Sequence, residues 1–295
     1  MKRLLIALLA SSIAFTGCSQ IQTTNSGAVG VQRKQYAFLS AKQVDGMAAQ
    51  SYVSTLKDAE KKKALNPNPQ QTERVRAIAK RLIAQTGTFR LDALDWKWEV
   101  NVQDSKEVNA YCMPGGKIMV YTGLIEKLNA TDDELAAVMG HEIAHALREH
   151  GRERMSEAYA EQVGLLGLAV LLGTNESTKK NAGAYVQAAS VATAVALTLP
   201  HSREHEREAD RIGLELSARA GYDPAAAISL WQKMAKEGGQ KPPEFLSTHP
   251  ADESRIADMQ RLLPVVTPLY EEAKAKKTEI PNQHHTRALS ALVSY

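Results

Sequence analysis

The five residues His141-Glu142-Ile143-Ala144-His145 narrow this chain more than any other stretch. On an α-helix, residues four apart share a face, so the two histidines project together. Two imidazoles so placed can hold one Zn²⁺, and Glu142 can reach a water on that ion and act as its general base. The flanking residues support a helix. Thr131-Asp132-Asp133-Glu134 reads as a capping box with acidic residues in the first turn. Leu135, Val138, Met139 and Leu147 add an apolar stripe at helical spacing. A buried helix that carries two histidines and a glutamate has few structural explanations.

The chain has 295 residues, ample for a buried core. Residues 1–17 read as a lipoprotein signal peptide: Lys2 and Arg3 precede a short apolar run from Leu4 to Phe15. Phe15-Thr16-Gly17-Cys18 then looks like a lipobox, with Cys18 as the lipidated residue and Ser19 after it favouring the outer membrane. Residues 18–39 read as the lipidated cysteine and a flexible Gln/Thr/Ser/Gly-rich tether. Without the leader's two basic residues, 36 basic against 33 acidic residues become a net charge of about +1, which argues against a nucleic-acid partner. Only Cys112 would then remain, so no intrachain disulfide is expected.

The zinc-binding domain is expected over 40–263, with its most informative residues in 107–263 and a polar tail at 264–295. Helices are expected at 40–65 and 70–85, the second with Val75, Ile78, Ala79, Leu82 and Ile83 on one side. Strands are expected at 96–102, 108–113 and 117–121, with Pro114-Gly115-Gly116 as the turn between the last two. An extended substrate could add to the edge of this sheet, with Asn109 and Ala110 at the contact. The zinc helix is expected to run to His150-Gly151. The apolar segments 163–172 and 182–199 read as core helices, too short or too weakly hydrophobic to span a bilayer. A charged helix follows at 204–220, another begins at Asp223-Pro224, and the last runs from Ala251 to Leu263.

A catalytic zinc needs a third protein ligand and an open position. Arg148 and Gly151 stand where a metzincin would have glycine and histidine, and His150 reads as a helix-end histidine. The ligand is then a later glutamate, and Glu204, Glu206 and Glu208 compete. Glu206 and Asp210 are four apart: the first can bind zinc while the second accepts the free N–H of a zinc histidine. Glu204 and Glu208 make a similar pair but leave Asp210 without a role, so Glu206 is favoured.

The set comprises Asn109-Ala110-Tyr111, Pro114-Gly115-Gly116, His141-Glu142-Ile143-Ala144-His145, Ser202-Arg203 before Glu206, Ala209-Asp210, Ala220-Gly221-Tyr222-Asp223-Pro224 and Ser247-Thr248-His249-Pro250. It resembles the gluzincin family that includes HtpX, the Oma-type proteases and the CAAX prenyl proteases, and within it the bacterial lipoprotein and periplasmic branch. The resemblance covers residues 70–263. It implies a mainly α domain with a small β-sheet (α+β), one Zn²⁺ per chain on His141, His145 and Glu206, Glu142 as base and Asp210 behind the ligands. It also draws attention to His249, as an oxyanion donor or as a latch on the zinc's open position; a helix N-cap is the plainer reading of that residue.

The expected activity is zinc-dependent endoproteolysis of unfolded or misassembled envelope proteins, from a lipid anchor facing the periplasm. Two other functions fit the same residues: a non-proteolytic binder of envelope proteins that uses zinc for structure, and a zinc amidase acting on cell-wall peptides.

Overall fold

A computed structural model describes residues 20–171, 202–237, 243–250 and 253–290. The leader, Cys18 and the segment 182–199 lie outside the described residues. The elements run β1 (Gln20–Ile21), β2 (Gln35–Tyr36), α1 (Ala41–Lys61), α2 (Pro69–Ile83), two 3₁₀ turns, β3 (Glu99–Gln103), β4 (Ala110–Met113) and β5 (Lys117–Tyr121). Then come α3 (Thr122–Lys127), α4 (Asp132–Leu147), α5 (His150–Leu171), α6 (Arg203–Arg219), α7 (Ala226–Glu237), α8 (Glu244–Thr248) and α9 (Glu253–Ser290). The fold is mainly α with small sheets, as expected. Among the described residues no helix is long and apolar enough to cross a membrane.

The zinc helix α4 starts at its capping box. Thr131 Oγ1 accepts from the Glu134 N–H at 3.2 Å, and the Glu134 carboxylate accepts from the Thr131 N–H at 2.9 Å. Every residue from Glu134 to Leu147 is buried, so α4 is wrapped on all sides rather than amphipathic. One wall is α6, capped by Ser202, whose hydroxyl accepts from the His205 N–H. The two helices meet at Gly140 and Gly213. A methyl group on Gly213 would lie 2.8 Å from His141 N and 3.0 Å from His141 Cα, inside van der Waals contact.

A second wall is the three-stranded sheet, ordered β3-β5-β4. β4 and β5 form the expected hairpin, whose turn puts Gly115 and Gly116 at φ +75° and +83°. β3 lies parallel to β5, and β4 is an edge strand. Helix α1 covers the sheet through Tyr52, whose hydroxyl donates to the Ile118 carbonyl at 2.7 Å. The buried residues of α2 include Val75, Ile78, Ala79 and Leu82, with Ile83 half-buried, the stripe the sequence predicts.

Three expectations need correction. Residues 20–36 are a packed strap, not a flexible tether. β1 pairs with β2, Val29 and Val31 enter the core, and the Ala28 and Val29 N–H groups donate to Glu215 Oε2 at 2.7 and 3.1 Å. The polar composition suggested solvent, but these polar groups are satisfied by buried protein partners instead. Helix α4 stops at Leu147, because Glu149 takes φ +53° and turns the chain before α5 begins at His150. Finally, Pro264 does not end the last helix, which continues to Ser290. Met259 and Val266 are buried, and Leu262, Leu269 and Tyr270 pack on the core at helical spacing. That burial outweighs the one hydrogen bond a proline removes.

The Gly213 contact carries the first prediction. Gly213→Ala forces the α4 and α6 backbones apart and should cost about 1–3 kcal/mol of stability, read as a lowered midpoint in urea denaturation of the metal-free protein. An unchanged midpoint would mean that the contact does not set the helix spacing.

Candidate metal centre and active site

The crossing of α4 and α6 brings donors from three elements to one point. His141 and His145, one turn apart on α4, place their Nε2 atoms 3.1 Å from each other. Glu206 on α6 reaches both, with Oε2 3.4 Å from His141 Nε2 and Oε1 3.3 Å from His145 Nε2. His249, the residue that closes α8, brings Nδ1 to 3.0 Å from Glu206 Oε1 and 3.3 Å from His141 Nε2. All four residues are buried, and their donor atoms lie within 4.8 Å of one another.

This donor set fits zinc. Ligands about 2.1 Å from a tetrahedral ion stand about 3.4 Å from each other, close to the separations found. Glu206 Oε2 is buried and receives no aligned hydrogen bond, although Arg255 Nη1 is in ion-pair range at 2.9 Å. A buried carboxylate oxygen facing two imidazoles asks for a cation. Glu206 is held well below the usual carboxylate range: burial works against its charge, but His249 and the close approach of His141 and His145 prevail.

The supporting residues fix which nitrogen faces the centre. His141 Nδ1 lies 3.0 Å from Asp210 Oδ1, one turn beyond Glu206 on α6. Burial opposes charge on Asp210, yet Arg255 keeps it ionised by donating from Nε and Nη2, both at 2.7 Å. Without metal, burial lowers His141 while Asp210 and Glu206 raise it, to about 9 in balance. His145 behaves oppositely, with burial depressing it well below its ordinary value. Its Nδ1 meets His150 Nδ1 at 2.7 Å, and His150 Nε2 meets Glu208 Oε2 at 2.9 Å.

Glu142 sits beside the cluster with Oε1 3.4 Å from His249 Nε2 and no hydrogen bond to that oxygen. Burial pushes its carboxyl up, against the pull of His249 and His141. A carboxylate raised in this way suits a base working near neutral pH. The backbone of Cys112 on β4 faces the Glu142 carboxylate and favours its charged form. The edge strand therefore runs directly past Glu142. Asn109 and Ala110 lie at the start of this strand: Asn109 O accepts from the Tyr121 N–H, and its side chain accepts from the Ala110 N–H at 2.9 Å.

The geometry brings together His141, Glu142, His145, Glu206, Asp210 and His249, with Asn109 and Ala110 on the adjoining edge. Sequence reasoning missed Arg255 and misjudged His150. Arg255 carries no spacing signal, lying 45 residues beyond its partner Asp210. His150 would point some 140° away from His145 if the helix continued; the break at Glu149 returns it to the site.

Comparison with known proteins agrees with this geometry. The family model of peptidase family M48 matches residues 69–263. Mitochondrial metalloendopeptidase OMA1 of Saccharomyces cerevisiae is 34% identical over 189 residues, 62% of this chain and 51% of the yeast protein. The mitochondrial metalloendopeptidase OMA1 of Bos taurus is 37% identical over 175 residues, 57% of this chain and 32% of the bovine one. The beta-barrel assembly-enhancing protease of Escherichia coli (strain K12) is 27% identical over 239 residues, 77% of this chain and 47% of that protein. The chain thus spans between about a third and about half the length of these curated relatives. It belongs to peptidase family M48.

Asp210→Asn keeps the shape of the Asp210 side chain but removes the charge that holds His141. Zinc affinity should fall at least about tenfold, measured by competition with a chromophoric chelator. Equal affinity in the variant and the unmodified protein would remove Asp210 from the metal's support.

Proposed function

We propose that this member of peptidase family M48 is a zinc-dependent endopeptidase that cleaves unfolded or misassembled proteins of the cell envelope. The observation that carries the reading is Glu142: a buried carboxylate beside four metal donors and against the backbone of an edge strand. His141, His145 and Glu206 would hold one zinc ion, which when bound supplies the positive charge that activates water and stabilises an oxyanion. Glu142 takes the proton of the attacking water and passes it to the leaving amine. Asp210 keeps the His141 proton on Nδ1, so that Nε2 stays available.

A peptide substrate adds to β4 as a further strand. In an antiparallel ladder alternate residues face away from the partner, and here those are Val108, Ala110 and Cys112, since Asn109 bonds Tyr121. Such a groove takes an extended backbone and favours unfolded segments or loops over folded ones. It also favours longer peptides than a cell-wall amidase needs.

His249 acts as a latch. Its Nδ1 takes the fourth corner of the donor set and its Nε2 faces Glu142, so in the resting site His249 occupies the position that substrate or water would need. The segment that carries it also covers the edge strand, because the Phe245 N–H donates to the Val108 carbonyl at 3.2 Å.

The envelope address rests on the signal-peptide and lipobox pattern ending at Cys18, with lipidation there and an outer-membrane location. A bacterial relative whose name ties it to β-barrel assembly is consistent with that setting.

The purified protein should cleave casein with one zinc bound, and Glu142→Gln should retain the zinc but lose about 10²–10⁴-fold in rate. Equal cleavage by Glu142→Gln would sink the mechanism, and zinc binding with capture of unfolded protein but no cleavage would favour the non-proteolytic binder. His249→Ala should keep its zinc and cleave casein faster than the unmodified protein. A slower His249→Ala enzyme would make His249 an oxyanion donor instead of a latch.

A further inference from the structure

His145 and His141 present the same ligand atom but are backed differently. His141 leans on a carboxylate. His145 leans on another imidazole, through the 2.7 Å contact between its Nδ1 and that of His150. If His145 offers Nε2 to the metal, its proton sits on Nδ1 and is donated to His150. His150 must then accept on Nδ1 and carry its own proton on Nε2, which is the atom that faces Glu208 Oε2 at 2.9 Å. Only this tautomer of each ring makes both hydrogen bonds.

Glu208 is in turn clamped by two guanidinium groups. Arg148 donates from Nε and Nη2 to its carboxylate, at 3.1 Å in each contact. Arg33, on the strap, donates from Nε to Oε1 at 2.9 Å and from Nη2 to Oε2 at 3.1 Å. The same Arg33 makes a two-pronged pair with Glu153 at 2.7 and 2.8 Å. Glu153 also accepts from Gln35 Nε2 and lies 3.0 Å from His205 Nε2, and the His205 ring stacks on His150 at 4.3 Å. Arg148 closes the circuit by donating to the Arg33 carbonyl at 2.9 Å. One face of His150, through His205, and its Nε2 edge, through Glu208, are thus fixed by groups that end on residues 33–35.

We infer that His150 is a positioning residue for His145, and that the strap, through Arg33 and Glu208, is part of the support of the metal centre. The inference rests on the proposed function, since it takes His145 as a zinc ligand. His150 touches neither metal nor substrate in this role. It selects the His145 tautomer and stops the ring from turning. Arg33 acts one step further out by holding Glu208 in line.

The test uses the full chain with zinc as the probe, comparing the unmodified protein with His150→Phe, His150→Gln and Arg33→Gln. Zinc dissociation constants come from chelator competition, the metal-free melting temperature reports folding, and the visible spectrum of the cobalt-loaded protein reports ligand geometry. His150→Phe keeps the ring stacked on His205 but cannot accept a hydrogen bond, so zinc should bind about tenfold to a hundredfold more weakly and the cobalt bands should shift. His150→Gln offers an amide oxygen to His145 and an amide N–H to Glu208, and should stay within about threefold of the unmodified protein. Arg33→Gln should lose about threefold to tenfold. Unmodified affinity in a folded His150→Phe overturns the inference, and so does an equal loss in the Phe and Gln variants, which would mark His150 as packing only. If His150→Phe fails to fold, Arg33→Gln decides alone, and unchanged zinc affinity there overturns it. Failure of the unmodified chain to bind zinc would overturn the proposed function together with this inference.

Discussion

The close approach of α4 and α6 is the constraint on which the rest depends. Side chains larger than hydrogen at Gly140 and Gly213 would hold the two backbones apart, since the methyl positions fall within about 3 Å of the facing helix. On α6 the residues Glu206, Asp210, Gly213 and Ser217 follow at helical spacing and form one stripe. That stripe meets Ala136, Gly140 and His141 on α4, where Ser217 Oγ donates to the Ala136 carbonyl at 3.2 Å. Backbone proximity therefore sets the distance of the glutamate from the two histidines. A wider crossing would leave both carboxylates short of their targets.

Burying so many charges beside one another is costly unless each is paired. Two groups of opposite charges meet the requirement on opposite sides of α6. Arg255 answers Asp210 and Glu206 on the metal side, while Arg148 and Arg33 answer Glu208 on the other. Arg255 also lies over the Trp231 ring at 4.3 Å, which fixes the guanidinium plane. Its positive charge, 2.7–2.9 Å from both Asp210 oxygens and Glu206 Oε2, explains how a carboxylate can remain ionised behind His141 in a buried site. Glu206 Oε2 still receives no hydrogen bond from these arginines, and it faces the space between His141, His145, Glu206 and His249, where the metal belongs.

What could be read in the sequence was local. The capping box, the apolar stripe and the two histidines of α4 follow from spacing within one helix, and so does the pairing of Glu206 with Asp210. The hairpin of β4 and β5 follows from its paired glycines. Contacts between distant segments carried no such signal. The strap looked like a tether because Thr23, Arg33 and Gln35 are polar; their partners include Arg148, Glu153 and Glu208, more than a hundred residues away. The last helix was cut at Pro264 by a local rule that the packing of Val266 against the core overrides. His150 required the position of one left-handed residue, Glu149, whose conformation is set by packing and not by a glycine.

Helix α8 ties His249, the proposed latch, to the edge strand β4, the proposed substrate edge. Three outward groups along this edge are occupied: Val108 O by Phe245, the Ala110 N–H by Asn109, and the Cys112 backbone by the facing Glu142 carboxylate. An incoming peptide strand must replace the first of these contacts to run the length of the edge. Phe245 is one helical turn from His249, and the His249 N–H donates to the Phe245 carbonyl at 2.8 Å. The two rings also stack, at 4.5 Å. Displacing Phe245 from Val108 therefore pulls on His249 through both backbone and side chain. On this reading, a peptide long enough to occupy the edge is also what frees the fourth corner of the donor set, and a short peptide that leaves Phe245 in place meets a closed site. In the proposed function, selectivity for extended segments would then come from the energy needed to open the site as well as from the shape of the groove.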